Sequence, residues 1–323
     1  MNKFVGIDIS KQTFDVYFED SGRSNHVNLK QSPEGYKLLR QLIGEDRICV
    51  MEATGNYHLK LAYDLHQAGI KVVVENPLKV KRFSQMNLQR TKTDKADLKM
   101  IYNYGTVILA SGEYHLWEPN SEDIGELKQY DTVRNQLIKQ RTSLSNTEEA
   151  LGALTGLNED VSAILRDMIE TIEKGIKQLD TGMLVLVKKH HSDSFDLVTS
   201  VPGIGPKTAT MMICLTDGFR KFSHDNVKQF ISYIGMSPRT FESGTSVKGN
   251  AHISKVGNGR VRSLFYMCSW TAKTKNQQCV DLYKRLAAKG KPEKVIKVAI
   301  AHKLIRQIFG VIKSGEPFSK EYA

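Results

Sequence analysis

Within the first hundred residues, short β-prone runs alternate with helical patterns, and acidic residues punctuate that order at set places. Phe4 to Ile9, Thr13 to Phe18 and Asn25 to Leu29 read as three successive strands, with Ser21-Gly22 as a turn, which predicts an antiparallel meander. Pro33 to Ile43 reads as a helix, with proline near its start and Leu39, Leu42 and Ile43 on one face. Arg47 to Met51 reads as a strand ending at Glu52, Tyr57 to Gln67 as a helix closed by Gly69, and Ile70 to Glu75 as a strand stopped by Asn76-Pro77. Helices follow. The second of them opens with Lys92-Thr93-Asp94-Lys95-Ala96-Asp97 and runs through Leu98, Ile101 and Leu109.

The order β-β-β-α-β-α-β-α predicts a mixed sheet with helices on its faces, the layout of the ribonuclease H-like fold. Strand alternation puts Phe4, Gly6 and Asp8 on one face of the first strand and Val5, Ile7 and Ile9 on the other. Glu52 ends the fourth strand, which neighbours the first in such a sheet. Asp94 and Asp97 lie at i and i+3 on one helix face, so both carboxylates point into one site. Taken alone, that pair is also what a helix N-terminus favours electrostatically. The functional reading needs two further carboxylates, and Asp8 and Glu52 supply them. Four hard oxygen donors suit magnesium (or manganese), and a pair of such ions stabilises attacking and leaving oxygens in phosphoryl transfer. Arg90 and Lys92, beside the acidic pair, are candidates for engaging phosphate.

The chain has 323 residues, which suggests two domains, and a net charge of +11. From Ala251 to Lys313 there are fourteen lysines and arginines against two acids, Asp281 and Glu293, so this block alone carries +12 and the remainder about −1. A basic block on an otherwise balanced chain points to a polyanion, here nucleic acid. No apolar run approaches the ~20 residues of a membrane span, and the segment from Met1 to Asp8 lacks the apolar region of a signal peptide. Cys49, Cys214, Cys268 and Cys279 are scattered, which argues against a zinc site or disulfide framework and suits a reducing cytoplasm.

Past residue 120 the pattern becomes helical. Tyr130, Leu137, Leu144 and Leu151 repeat every seven residues, and after a break at 152–160 the series Val161, Leu165, Met168, Ile172, Ile176, Leu179, Met183 and Leu186 alternates threes and fours. This predicts a coiled-coil seam on a helical hairpin or a sharply kinked arm. Leu197 to Ala209 resembles a helix-hairpin-helix motif, in which Gly203 and Gly205 let backbone amides approach phosphate next to Lys207 and a helix N-terminus. The stretch 237–250 is polar, with Ser243, Thr245, Ser246 and Lys248, and reads as a loop in which spacing marks out no hydroxyl. Basic helices run from Arg260 and Arg262 to Lys313, broken near Lys275 and at 290–292. Tyr266, Trp270, Tyr283 and Phe309 sit among the bases as core or as contacts to bases and sugars.

Five strings carry a family resemblance: Gly-Ile-Asp-Ile-Ser at 6–10, Met-Glu-Ala-Thr-Gly at 51–55, Lys-Thr-Asp-Lys-Ala-Asp at 92–97, Pro-Gly-Ile-Gly at 202–205 and Glu-Ser-Gly-Thr-Ser-Val-Lys-Gly at 242–249. In this order and spacing the chain resembles a DEDD transposase of the IS one-ten family, related to the Piv invertases. The resemblance implies a RuvC-like catalytic domain over 1–120, a coiled-coil arm over 121–192 and a C-terminal transposase domain over 193–323. It implies that Asp8, Glu52, Asp94 and Asp97 form the metal-binding tetrad, that Ser243 is the nucleophile, that dimers assemble to a tetramer, and that a bridge RNA directs targeting. The expected activity is movement of an insertion sequence by DNA strand cleavage and exchange, in the bacterial cytoplasm and at the nucleoid when active. The alternative is a structure-specific, metal-dependent nuclease of junction-resolvase type with water as nucleophile. An actin-like ATPase, suggested by Gly6-Ile7-Asp8, lacks a second phosphate loop.

Overall fold

The computed structural model describes residues 4–20, 22–44, 46–53, 55–86, 94–112, 114–239, 242–243, 247–248 and 252–319, with backbone alone at 94–95, 154–155, 242–243 and 247–248. It forms two compact units, Met1–Pro119 and Asn120–Ala323.

The first unit is a five-stranded sheet between two helical layers. Its strands are β1 (Phe4–Ile9), β2 (Thr13–Asp20), β3 (Arg23–Lys30), β4 (Ile48–Glu52) and β5 (Lys71–Glu75), in the order β3-β2-β1-β4-β5. The β1, β2 and β3 strands form an antiparallel meander, while β4 runs parallel to β1 and β5 parallel to β4. Helices α1 (Pro33–Ile43) and α2 (His58–Gln67) cover one face. Tyr36, Leu39, Ile43, Leu61 and Leu65 pack there on Val5, Ile7, Phe14, Val16 and Phe18. Helices α3 (Pro77–Met86) and α4 (Asp94–Ser111) serve the other face, where Val80, Ile101, Tyr102 and Ile108 meet Phe4, Val50 and Val73. The alternation expected along β1 is therefore the one observed. Burying apolar side chains on both faces of the central strands supplies the dominant favourable term in holding the layers together.

Two glycines set how closely α4 approaches the sheet. A Cβ on Gly6 would stand 2.8 Å from the Tyr102 backbone nitrogen, and one on Gly105 would stand 2.9 Å from a Val50 methyl. Their missing side chains let α4 press against β1 and β4, which carries the first turn of α4 toward the carboxyl end of β1.

The second unit begins with a helical hairpin of α5 (Glu122–Thr155) and α6 (Glu159–His190), with Asn158 capping α6 through its side chain. Its register is marked by a ladder: Arg134–Asp180 (2.5 Å), Arg141–Glu173 (3.6 Å) and Arg166–Glu148 (3.3 Å). Each rung advances seven residues on α5 and retreats seven on α6, as an antiparallel coiled coil requires. Between rungs, glycines of α6 receive large residues of α5: Gly175 meets Leu137 and Gly182 meets Tyr130. The seam lies within one chain. It departs from the heptad reading at three places, because Leu151, Val161 and Met168 are exposed, and on α6 Ser162 and Ile169 turn inward instead.

Helices α7 (Ser192–Ser200), α8 (Pro206–Thr216), α9 (Val227–Tyr233), α10 (Gly259–Lys275) and α11 (Gln277–Ala288) gather around α12 (Glu293–Ser314). Ile300, Ala301, Leu304, Ile305, Ile308 and Phe309 of α12 are fully buried. Between α9 and α10 the polar stretch holds two nested antiparallel pairs, β6 (Pro238–Arg239) with β9 (His252–Ile253) and β7 (Glu242–Ser243) with β8 (Val247–Lys248). It is thus a β-ribbon rather than the plain loop its composition suggests. All four cysteines are buried thiols, and no described helix is long and apolar enough to cross a membrane.

Candidate functional site

One cross-strand row of the sheet carries the site. In the β1–β2 ladder Asp8 is paired with Asp15, and in the β2–β3 ladder Asp15 is paired with Asn28. In the β1–β4 ladder Ile7 is paired with Met51, so the next position sets Asp8 beside Glu52. Glu52 is in turn paired with Glu75 on β5. Four carboxylates, Asp15, Asp8, Glu52 and Glu75, therefore lie in line across adjacent strands. Alternation puts them on the face that α4 covers. Sequence reading found Asp8 and Glu52 and missed Asp15 and Glu75. The signal was present: Asp15 shares a face with Tyr17, and Glu75 ends β5 as Glu52 ends β4.

The outer members of the row are engaged by protein. Asp15 Oδ1 lies 3.0 Å from His26 Nε2, and Asn28 Nδ2 donates to Asp15 Oδ2 at 3.0 Å. The buried Glu75 bonds Lys79 at 3.1 Å and accepts from the Asn76 amide at 3.2 Å. Asp8 differs. Among the described residues no cation pairs with Asp8 or with Asp97, which α4 brings to the same end of the sheet. Burial pushes the Asp8 carboxyl above its ordinary value, a backbone hydrogen bond at Ile9 opposes this, and the charges of Glu52, Asp15 and Asp97 raise it further. Asp8 thus senses the charges of Glu52 and Asp97 although the three residues come from three separate elements.

The donor set consists of carboxylate oxygens, which suits a hard divalent cation better than a thiol- or imidazole-seeking one. Among the described residues no group of three or more acidic, histidine or cysteine side chains is close enough to hold an ion unaided. Asp94 opens α4 one turn before Asp97, and of Asp94 only the backbone is described. Arg90 and Lys92 lie outside the described residues.

The remaining candidates lie in the second unit. Ser243 stands in β7 opposite Val247 of β8, and Lys248 stands opposite Glu242; their side chains are outside the described set. Gly203 has φ +105°, and a Cβ there would stand 2.8 Å from Ala272 Cβ, so this glycine is required by packing on α10. Gly205, just before α8, faces open space. Lys207 bonds Asp180 at 2.8 Å, and Arg260 bonds Asp131 at 2.5 Å. Both line a cleft of about 230 Å³ with Arg134 and Leu264. Arg262 donates to the Ile234 carbonyl at 2.8 Å, bracing the turn before the β-ribbon.

Residues 5–159 fit the model of the IS110-type DEDD transposases, described as "Transposase", and residues 195–284 fit that of the "Transposase IS116/IS110/IS902 family". The chain is 30% identical to the pilin gene-inverting protein of Moraxella bovis over 98% of both chains. It is also 30% identical to the pilin gene-inverting protein of Moraxella lacunata, again over 98% of each. An uncharacterized 43.6 kDa protein of insertion element IS110 from Streptomyces coelicolor is 24% identical over 50% of this chain and 38% of its own length. With likeness running from end to end and both halves matched by the same family, the chain belongs to the IS one-ten (IS110) family of transposases and recombinases, enzymes that act on DNA.

Proposed function

We propose that this protein moves its own insertion sequence by cleaving and rejoining DNA strands, using Asp8, Glu52, Asp94 and Asp97 as a metal-binding tetrad and Ser243 as the nucleophile. The observation that carries the reading is the split within the carboxylate row. Its outer members are tied to His26, Asn28 and Lys79, while Asp8 faces like charges. Such an accumulation of negative charge is costly unless a cation completes it. The strand order β3-β2-β1-β4-β5, with a meander followed by two parallel strands, supports a ribonuclease H-like, RuvC-like domain over 1–120. The Arg–acid hairpin supports a coiled-coil arm over 121–192, followed by a transposase domain over 193–323 with a helix-hairpin-helix-like turn at 201–205.

When bound, magnesium or manganese would supply charge neutralisation at a scissile phosphate. The chain's own residues do the rest. Asp8 and Glu52 are fixed by the sheet register, and Asp94 and Asp97 by the first turn of α4. A bond forms from Ser243 Oγ to phosphorus as the bond from phosphorus to a deoxyribose oxygen breaks. The serine proton is given up and the departing oxygen takes one. The phosphoserine link keeps the phosphodiester energy, so a strand hydroxyl reverses the step and rejoins DNA without an external energy source. A serine hydroxyl needs such activation, being a weak nucleophile at neutral pH.

Pairing of Lys207, and of Arg260 in the +12 block, within the protein moves the main burden of phosphate contact to the remaining bases of that block, with Gly205 open at the hairpin turn. Targeting by a bridge RNA and assembly of dimers into a tetramer complete the proposal. The exposed Val161, Ile164 and Met168 on the arm offer apolar surface for the latter. A suicide DNA substrate tests the central claim. It should trap the protein covalently through Ser243, and Ser243→Ala or Asp97→Ala should prevent the adduct while Ser246→Ala should not. Full-rate cleavage by Ser243→Ala would return the reading to a nuclease that uses water.

A further inference from the structure

Helix α10 buries Val261, Phe265, Cys268 and Ala272 and turns Met267 and Trp270 outward. Of the five aromatic residues among the basic helices, Phe265 and Phe309 are buried and Tyr266 and Tyr283 are half-buried, whereas Trp270 is 48% exposed. Leaving a large indole in water forgoes much of the burial that usually fixes such a side chain. Here a charged network fixes it instead. Lys297 Nζ stands 3.2 Å from the Trp270 ring centroid and Lys273 Nζ 4.9 Å from it. Both ammonium groups bond the same oxygen, Glu293 Oε1, at 3.3 and 3.0 Å, which sets them on the same side of the ring. Tyr283 donates its hydroxyl hydrogen to Glu293 Oε2 at 3.0 Å, and the Tyr266 ring centroid lies 5.5 Å from Lys297 Nζ. Lys297 is itself 3% exposed. The buried Lys297, with Lys273 beside it, thus covers one side of the indole, while the residue as a whole stays 48% exposed. Lys294, one turn before Lys297, and Lys275 on α10 are exposed.

We propose that Trp270 is a stacking platform for an unpaired base of single-stranded DNA, the strand that cleavage and exchange leave unpaired. The inference rests on the recombinase reading for its source of single strands. Every base offers a π face, so stacking on a fixed aromatic ring tolerates any sequence, and neighbouring lysines meet the flanking phosphates. A second copy of the chain is a poorer occupant, because protein interfaces centre on apolar cores depleted of charge. This ring instead sits among lysines.

The test uses the full chain and unstructured deoxyoligonucleotides. With Trp117→Phe leaving Trp270 as the sole indole, binding of a dodecamer of dT should quench the fluorescence. Trp270→Ala should weaken single-strand binding roughly tenfold, as loss of one stacked base predicts. Trp270→Phe should restore most of it, and a hairpin duplex of equal phosphate count should bind within about twofold of wild type. Unquenched Trp270 with the dodecamer bound, or single-strand affinity unchanged in Trp270→Ala, overturns the platform. Loss confined to an oligoribonucleotide assigns the ring to RNA and overturns the DNA assignment. A change only in self-association, read by light scattering, assigns it to a second copy. Because wild-type recombination is scored on a plasmid in parallel, failure of the platform is separable from failure of the recombinase.

Discussion

Asp8 and Asp15 face each other across the β1–β2 ladder, two carboxylates on neighbouring strands and on one face of the sheet. Asp15 is fastened by His26 and Asn28, and its charge helps hold the Asp8 carboxyl above its ordinary value, after burial and Glu52. On the proposed tetrad reading, Asp15 acts as a positioning residue. Asp15→Asn should raise the magnesium concentration needed for half-maximal recombination roughly tenfold, the lower end of what partners of metal ligands contribute. Maximal activity in saturating metal should survive. Complete loss at all metal concentrations would make Asp15 a ligand, and an unchanged requirement would make it a bystander.

The proposed tetrad predicts a harsher result. Asp8→Ala and Asp94→Ala should abolish recombination while the chain stays folded by circular dichroism, and excess chelator should do the same to wild type. Normal recombination in chelator would remove the divalent ion from the mechanism.

Gly6 predicts that geometry as well as chemistry limits the site. A methyl at Gly6 collides with the Tyr102 backbone, which cannot rotate away as a side chain can. Gly6→Ala should cost about 1–3 kcal/mol in thermal or urea unfolding, the range for overpacking. It should lower activity beyond what stability explains, because α4 carries Asp97 outward. Wild-type stability and activity in Gly6→Ala would show that the close approach of α4 does not matter.

The rungs of the arm should differ in strength. Arg134 is largely buried and bonds Asp180, which Lys207 also holds, whereas the Arg166 side chain is 76% exposed. Arg134→Ala should destabilise by about 1.5–3 kcal/mol, as loss of a charged hydrogen bond does. Arg166→Ala should fall within about 0.5 kcal/mol of wild type, as exposed pairs do. Equal effects in chemical denaturation would refute this ranking.

At the base of the arm, Asp123 on α5 bonds His191 at 2.5 Å. Burial alone would raise the Asp123 carboxyl, but the hydrogen bonds from His191 and Ser121 outweigh it and the net shift is downward. A carboxyl depressed in the folded state contributes stability that is present above its unfolded pKa, near 3.9, and lost as pH falls through the folded value. His191→Ala removes part of that contribution. Its acid-unfolding midpoint, followed by far-ultraviolet circular dichroism, should therefore move to higher pH than that of wild type. An identical midpoint would show that the latch carries no stability.

Local pattern alone determined much of this protein. Period-two alternation marked β1 and separated Gly6 and Asp8 from Val5 and Ile7, and heptads marked the arm. Such features depend on residues near in sequence, and burial of one face enforces them wherever the chain folds. The pairing Asp15–Asp8–Glu52–Glu75 depends instead on which strands are neighbours and in what register, and period-two patterns are silent on both. The same holds for Lys207 and Arg260, which read as free bases until folding brings Asp180 and Asp131 to them. Trp270 is the clearest case. Among Phe265, Tyr266, Tyr283 and Phe309 it was one aromatic of five in a basic stretch, and only the packing of α10 against α12, with Glu293 drawing two lysines to one side of the ring, decided which of them faces water.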